Sequence, residues 1–191
     1  MRYKIVGDSC CDLTAEDLKK EYYVSVPLTL TVGDTDVLDD ENFDQAKYLK
    51  MVEECPECPR SACPSPESYM QHFDGAQHIF VVTLLSRLSG SYNSAMLAKQ
   101  IYQENHPDVK IHVFDSKSAA AAQHLICEKL EELGEKNCSY EEIVEQVEHY
   151  ISELRTLFVL DSLDTMRKNG RITKVKALAA NMLNIKPVLH G

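Results

Sequence analysis

HIFVVTLLSRLSGSYNSAMLAKQIYQEN, residues 78–105, changes character halfway. Its first part is an unbroken apolar run rich in β-branched and aromatic residues, as in a strand buried on both faces. Its last part, SYNSAMLAKQIYQEN (91–105), reads as a helix. Between them lies LLSRLSGSYNSA (84–95), which places four serines and a glycine where a strand hands over to a helix. A nucleophile, a helix cap and an anion-binding lip all fit that composition.

Working outward, the same alternation recurs. YKIVGDS (3–9) and KIHVFDS (110–116) read as strands, whereas TAEDLKKEYY (14–23) reads as a helix with Thr14 as its cap. AAAAQHLICEKLEEL (119–133) is expected to form a helix closed by Gly134, and Ser139 with Glu142 has capping-box spacing ahead of a connecting amphipathic helix. VSVPLTLTV (24–32) and TDVLDD (35–40) suggest extended segments turning at Gly33-Asp34, followed by a helix in NFDQAKYLKMVEE (42–54). Ser65 and Pro66 suit the N-cap and first position of a helix that Gly75 ends. Strands alternating with helices predict an α/β fold with a mostly parallel sheet. The expected division is an N-terminal α/β lobe over 1–153 and the start of a second α/β lobe over 154–191.

The chain has 191 residues and a formal net charge of −10, which disfavours nucleic acid as a partner. No apolar run approaches the roughly 20 residues of a membrane span, so stable membrane insertion is not expected and a bacterial-type cytoplasmic setting is the default. Seven scattered cysteines read as reduced thiols. RKNGRITKVK (167–176) concentrates five basic residues against the acidic background, either as a solvated face or as a docking patch for an acidic partner.

Three apolar runs end in Asp-Ser: Asp8-Ser9, Asp115-Ser116 and Asp161-Ser162. Such turns cap structure, and they also lie where parallel α/β sheets gather ligands, at the carboxyl ends of strands. A hydrolase reading would make Ser89 or Ser91 a nucleophile, but no G-x-S-x-G turn is present. Phosphate-binding glycine loops are absent as well. Cys55, Cys58 and Cys63 with His72 or His78 could be read as a zinc set, though without a second paired knuckle. The anion lip needs least: a helix N-terminus, hydroxyls from Ser89 and Ser91, and Gly90 to admit a ligand to the backbone.

KIVGDSCCDL, SACPSPESY, LLSRLSGSYNSA, HVFDSKSA, FVLDSLDTMRKNGRI and LNIKPVL, taken in order, resemble the successive motifs of the DegV family. That resemblance implies two α/β lobes with a long-chain fatty acid between them, its carboxylate held by hydroxyls, and no further cofactor. It implies a carrier without catalytic residues of its own, which presents the carboxylate to a separate ATP-dependent fatty acid kinase subunit for phospholipid synthesis. The family's Thr-Ser-Gln-Pro loop falls on Ser61, Ala62, Cys63 and Pro64, and its serine block on Leu85 to Tyr92. The implied ligand-binding residues are Ser61, Ser86, Ser89, Gly90 and Ser91. The Arg-Lys-Gly-Gly-Arg-Ile block falls on Arg167 to Ile172, with Arg167, Lys168 and Arg171 expected to face the kinase and Asn169 expected to tolerate a left-handed backbone. Family members continue well past IKPVLHG, so the second lobe is expected to be partial.

Overall fold

The computed structural model describes residues 3–160, 164–170 and 188–190. Contacts divide the chain into two compact units: residues 1–28 with 62–154, and residues 29–61 with 155–191. Residues 29–62 carry a three-stranded sheet separate from the parallel one, and residues 29–61 group apart from the rest of 1–153.

The first unit is built on four parallel strands, β1 (Tyr3–Asp8), β2 (Tyr23–Val26), β6 (His78–Thr83) and β7 (Lys110–Asp115), in the order β2-β1-β6-β7. Side-chain alternation sends β6 to two cores at once. Phe80 and Val82 join Ile5 and Phe114 against α4 (Ala121–Glu135) and α5 (Tyr140–Glu153), which contribute Ile126, Leu130, Ile143, Val147 and Ile151. Ile79 and Val81 join Val6, Ile111 and Val113 on the opposite face, against Tyr69 and Phe73 and against Ala95, Ala98 and Tyr102. Those aromatic and alanine residues come from α2 (Pro66–Met70) with its following turn, and from α3 (Ser91–Asn105). A strand buried on both sides must be apolar at every position, which is why 79–82 carries no polar residue.

Several local expectations are met and others corrected. Ser65 caps α2 with Pro66 at its first position, and the Ser139–Glu142 capping box is complete. Residues 14–23 do not form a full helix: Thr14 and Asp17 exchange hydrogen bonds around a short 3-10 turn, Asp17–Lys19, before β2 begins. Gly134 does not end α4. The helix runs on to Glu135, and Asn137 takes the left-handed conformation at φ 56°. Gly134 instead admits Tyr3, whose ring lies where a Cβ would stand. Helix α5 is more than a connector, since Ile143, Val147 and Ile151 are buried in the core.

The second unit contains the hairpin β3 (Thr29–Val32) and β4 (Thr35–Leu38), turned at Gly33 with φ 58°. Strand β5 (Arg60–Ala62) completes that sheet in the order β4-β3-β5. Helix α1 (Gln45–Glu54) is capped by Asp44, and β8 (Leu157–Val159) pairs antiparallel with β9 (Val188–His190). The short α6 (Asp164–Lys168) follows β8.

Candidate functional site

Strand β1 has β2 on one side and β6 on the other, so the chain leaves the carboxyl ends of β1 and β6 in opposite directions. That reversal opens a crevice, the place where parallel α/β sheets bind ligands. The loop 84–90 crosses it.

Two aspartates hold the loop. Asp8, fully buried at the end of β1, accepts the Leu84 N–H on Oδ2 at 2.7 Å and the Gln123 side-chain amide on Oδ1 at 3.0 Å. Asp115, at the end of β7, accepts the Ser86 N–H at 3.1 Å and the Ser86 hydroxyl at 2.5 Å. The Leu85 N–H reaches Ser118 O at 2.9 Å. The first two Asp-Ser turns are thus anchors for the serine loop, and Ser9 Oγ accepts the Leu28 N–H at 3.1 Å. The third, Asp161-Ser162, lies outside the described residues.

Helix α3 starts where the loop ends. Ser89 is half-buried, Gly90 exposed and Ser91 fully buried. The Ser89 and Ser91 hydroxyls lie 3.0 Å apart, and the Ser91 N–H donates to Ser89 Oγ at 3.2 Å. The next N–H groups, of Tyr92 and Asn93, have no acceptor within a helix and carry its positive dipole end. Gly90 has φ −76°, so no left-handed turn requires a glycine there. Its missing Cβ makes room for Cys63, whose Sγ would stand 3.0 Å from such an atom.

Asp8, Tyr69, Ser91 and Gln123 are all buried polar-bearing residues of the core. Burial pushes the Asp8 carboxyl above the ordinary carboxylate range, against hydrogen bonds from Leu84, Gln123 and Ser91 that favour its anion. Burial first, and then the nearby Asp8 charge, push the Tyr69 hydroxyl well up, while Ser91 acts in the opposite direction. By ordinary hydrogen-bond geometry, Tyr69 Oη and Gln123 Oε1 are buried without a partner among the described residues.

Four of the residues singled out in the sequence therefore come together: Ser86, Ser89, Gly90 and Ser91. Ser86 already spends its proton on Asp115. Ser61 is exposed on β5 and belongs to the second unit up to its last residue before the first unit resumes. Arg167 and Lys168 occupy the last turn of α6, where cations suit the negative helix end. Arg171 lies outside the described residues. Asn169 does not supply a left-handed backbone; Gly170 does, at φ 71°, while the Asn169 amide donates to Pro59 O at 3.0 Å. The sequence does not single out Tyr69 or Gln123, and it marks Asp8 and Asp115 only as strand-end turns, not as a clamp on the serine loop. A glutamine on the apolar stripe Gln123, Ile126, Cys127, Leu130 was the available signal, since such a position is rarely polar without a partner to serve.

Among the described residues no cysteine is disulfide-bonded, and no group of three or more His, Cys, Asp and Glu is placed to hold a metal ion. No helix among them is long and apolar enough to cross a membrane.

The family model described as an uncharacterised protein of the DegV family matches residues 2–191. A DegV domain-containing protein of Streptococcus pneumoniae is 43% identical over 190 residues, covering 98% of this chain and 68% of that relative. A solved DegV family protein from Ruminococcus gnavus, refined with vaccenic acid, superposes with a TM-score of 0.93 at 43% identity over 100% of this chain and 68% of its own. The Streptococcus pneumoniae Fatty Acid Kinase (Fak) B3 protein loaded with linoleic acid gives 0.91 at 41% identity, with the same coverage. A DegV family protein from Eubacterium eligens loaded with heptadecanoic acid gives 0.90 at 34% identity, over 98% and 67%.

Proposed function

Because the chain belongs to the DegV family, we propose that it binds a long-chain fatty acid, seats the carboxylate at the serine lip and presents it to a separate ATP-dependent kinase subunit. The observation that carries the reading is the lip itself. Hydroxyls of Ser89 and Ser91 and the first N–H groups of α3 converge at the switch point of the sheet, in a chain whose solved relatives hold fatty acids.

The division of labour follows from magnitudes. A buried methylene contributes about 0.8 kcal/mol, so a sixteen-carbon tail supplies on the order of 10 kcal/mol gross, whereas a neutral hydrogen bond nets about 1 kcal/mol. The tail therefore sets affinity, and the lip sets where the carboxylate stands. In this reading the protein is the binding subunit, and phosphoryl transfer belongs to its partner. The serine-hydrolase alternative draws no support from the described residues, where the Ser89 and Ser91 hydroxyls pair with each other.

Mass spectrometry of an organic extract from gently purified protein is expected to show a stoichiometric long-chain fatty acid. Ser61→Ala combined with Ser91→Ala is expected to slow acyl-phosphate formation by added kinase subunit more than it lowers lipid retention. Labelling of Ser89 or Ser91 by a fluorophosphonate, with no lipid extracted, would favour the hydrolase instead.

A further inference from the structure

Gln123 stands where the packing calls for an apolar side chain. It lies on the stripe of α4 that carries Ile126, Cys127 and Leu130 into the core, and it is fully buried. Leucine or methionine would fill that space without polar atoms, whereas the glutamine leaves its Oε1 without a partner among the described residues. Its amide is placed to do what an apolar side chain cannot.

The amide nitrogen has two hydrogens and two acceptors. Nε2 donates to Asp8 Oδ1 at 3.0 Å and to Cys11 Sγ at 3.3 Å. Each of those residues also grips the carboxyl end of β6: Asp8 Oδ2 accepts the Leu84 N–H at 2.7 Å, and the Cys11 thiol donates to Val82 O at 3.7 Å. Asp8, Cys11 and Val82 are fully buried as well. One side chain of α4 thereby holds the residues on either side of Thr83, at the point where β6 releases the serine loop. The loop passes that grip along its own backbone, since Leu85 O accepts the Leu88 N–H at 2.9 Å and the Ser89 N–H at 3.1 Å. Ser89 is tied in this way to the residue that follows Leu84.

We propose that Gln123 is a positioning residue for the head group: its amide sets Asp8 and Cys11, these fix the exit of β6, and the hydrogen-bonded turn from Leu85 to Ser89 carries that register to the lip. The proposal rests on the fatty-acid reading above. Hydrogen bonds to a charged carboxylate are stronger than those to a neutral head group and weaken steeply out of line, so a displaced lip weakens binding of an acid more than of the alcohol with the same tail.

The test uses the whole chain with oleic acid and oleyl alcohol as probes, for wild type, Gln123→Met and the swap Asp8→Asn with Gln123→Glu. Methionine is unbranched and adaptable like glutamine but cannot donate. In the swap the amide at position 8 still accepts the Leu84 N–H and donates to the carboxyl at position 123, so the pair survives with donor and acceptor reversed. Gln123→Met is expected to weaken oleate binding about fivefold and oleyl alcohol less than about twofold, while the ligand-free Tm stays within about 4 °C of wild type. Backbone hydrogen exchange over 84–90 in the ligand-free protein is expected to quicken in Gln123→Met, and the swap is expected to return both oleate affinity and protection toward wild type. Unchanged oleate affinity or unchanged hydrogen exchange in Gln123→Met would overturn the proposal and leave the fatty-acid reading standing. Equal losses for both probes, or a swap as weak as Gln123→Met, would overturn it as well by reducing Gln123 to packing. Wild-type protein that takes up neither probe would remove the fatty-acid reading, and the head-group role of Gln123 with it.

Discussion

Asp8 shows how one residue can serve fold and site together. Its two oxygens tie the loop before the lip to α4, and its burial makes the charged form expensive. With its folded value raised, the native state keeps this proton where the unfolded chain has released it. The stability that goes with the proton is complete below the unfolded value, about 4, and is lost as pH rises through the higher folded one. Asp8→Asn cannot ionise, and the orphan Gln123 Oε1 becomes a ready acceptor for the introduced amide if Gln123 turns over. The expected outcome is that wild type loses stability relative to Asp8→Asn as pH rises from about 4 toward neutrality. Thermal unfolding of both proteins across that range checks it; a constant difference would mean that folding leaves the Asp8 carboxyl at its unfolded value.

Among the elements, α4 is the informative one. Glycine inside a helix costs about 1 kcal/mol relative to alanine, so Gly134 reads locally as a stop signal. The helix instead continues through it, because the missing side chain lets Tyr3 of β1 lie against the helix. Gly134→Ala should therefore destabilise the protein by about 1 kcal/mol net, with overpacking exceeding the gain in helix propensity. In a Tyr3→Ala background the same substitution should stabilise it by a similar amount. A denaturant double-mutant cycle measures both, and a stabilising Gly134→Ala in the wild-type background would show that Tyr3 moves aside freely.

For the whole molecule, the net charge of −10 sets a repulsive field toward anionic partners, interrupted by the basic run 167–176. The kinase-presenting reading assigns that run to recognition. Arg167→Glu with Lys168→Glu is expected to slow acyl-phosphate formation severalfold while fatty acid retention stays near wild type. The wild-type rate is expected to fall with added salt more steeply than the variant rate, since exposed charges are screened over about 8–10 Å. Coupled assays with the kinase subunit across ionic strengths decide this, and an unchanged rate at low salt would remove these two residues from the interface.

Much of this protein was legible in the chain alone. The apolar run 79–82 had to be a strand buried on both faces, SYNSAMLAKQIYQEN had to follow it as a helix, and the serines had to lie at their junction, because period and capping are local properties. The ordered motifs added the family. Tertiary structure alone decided that Asp8 and Asp115 clamp the loop from two strands and that 29–61 leaves the parallel unit. It also decided that Gly134 yields to Tyr3 and that the Tyr69 hydroxyl is buried without a hydrogen-bond partner among the described residues. Each of these depends on residues far apart in the chain meeting at one place, and sequence periodicity holds information only about neighbours a few residues away.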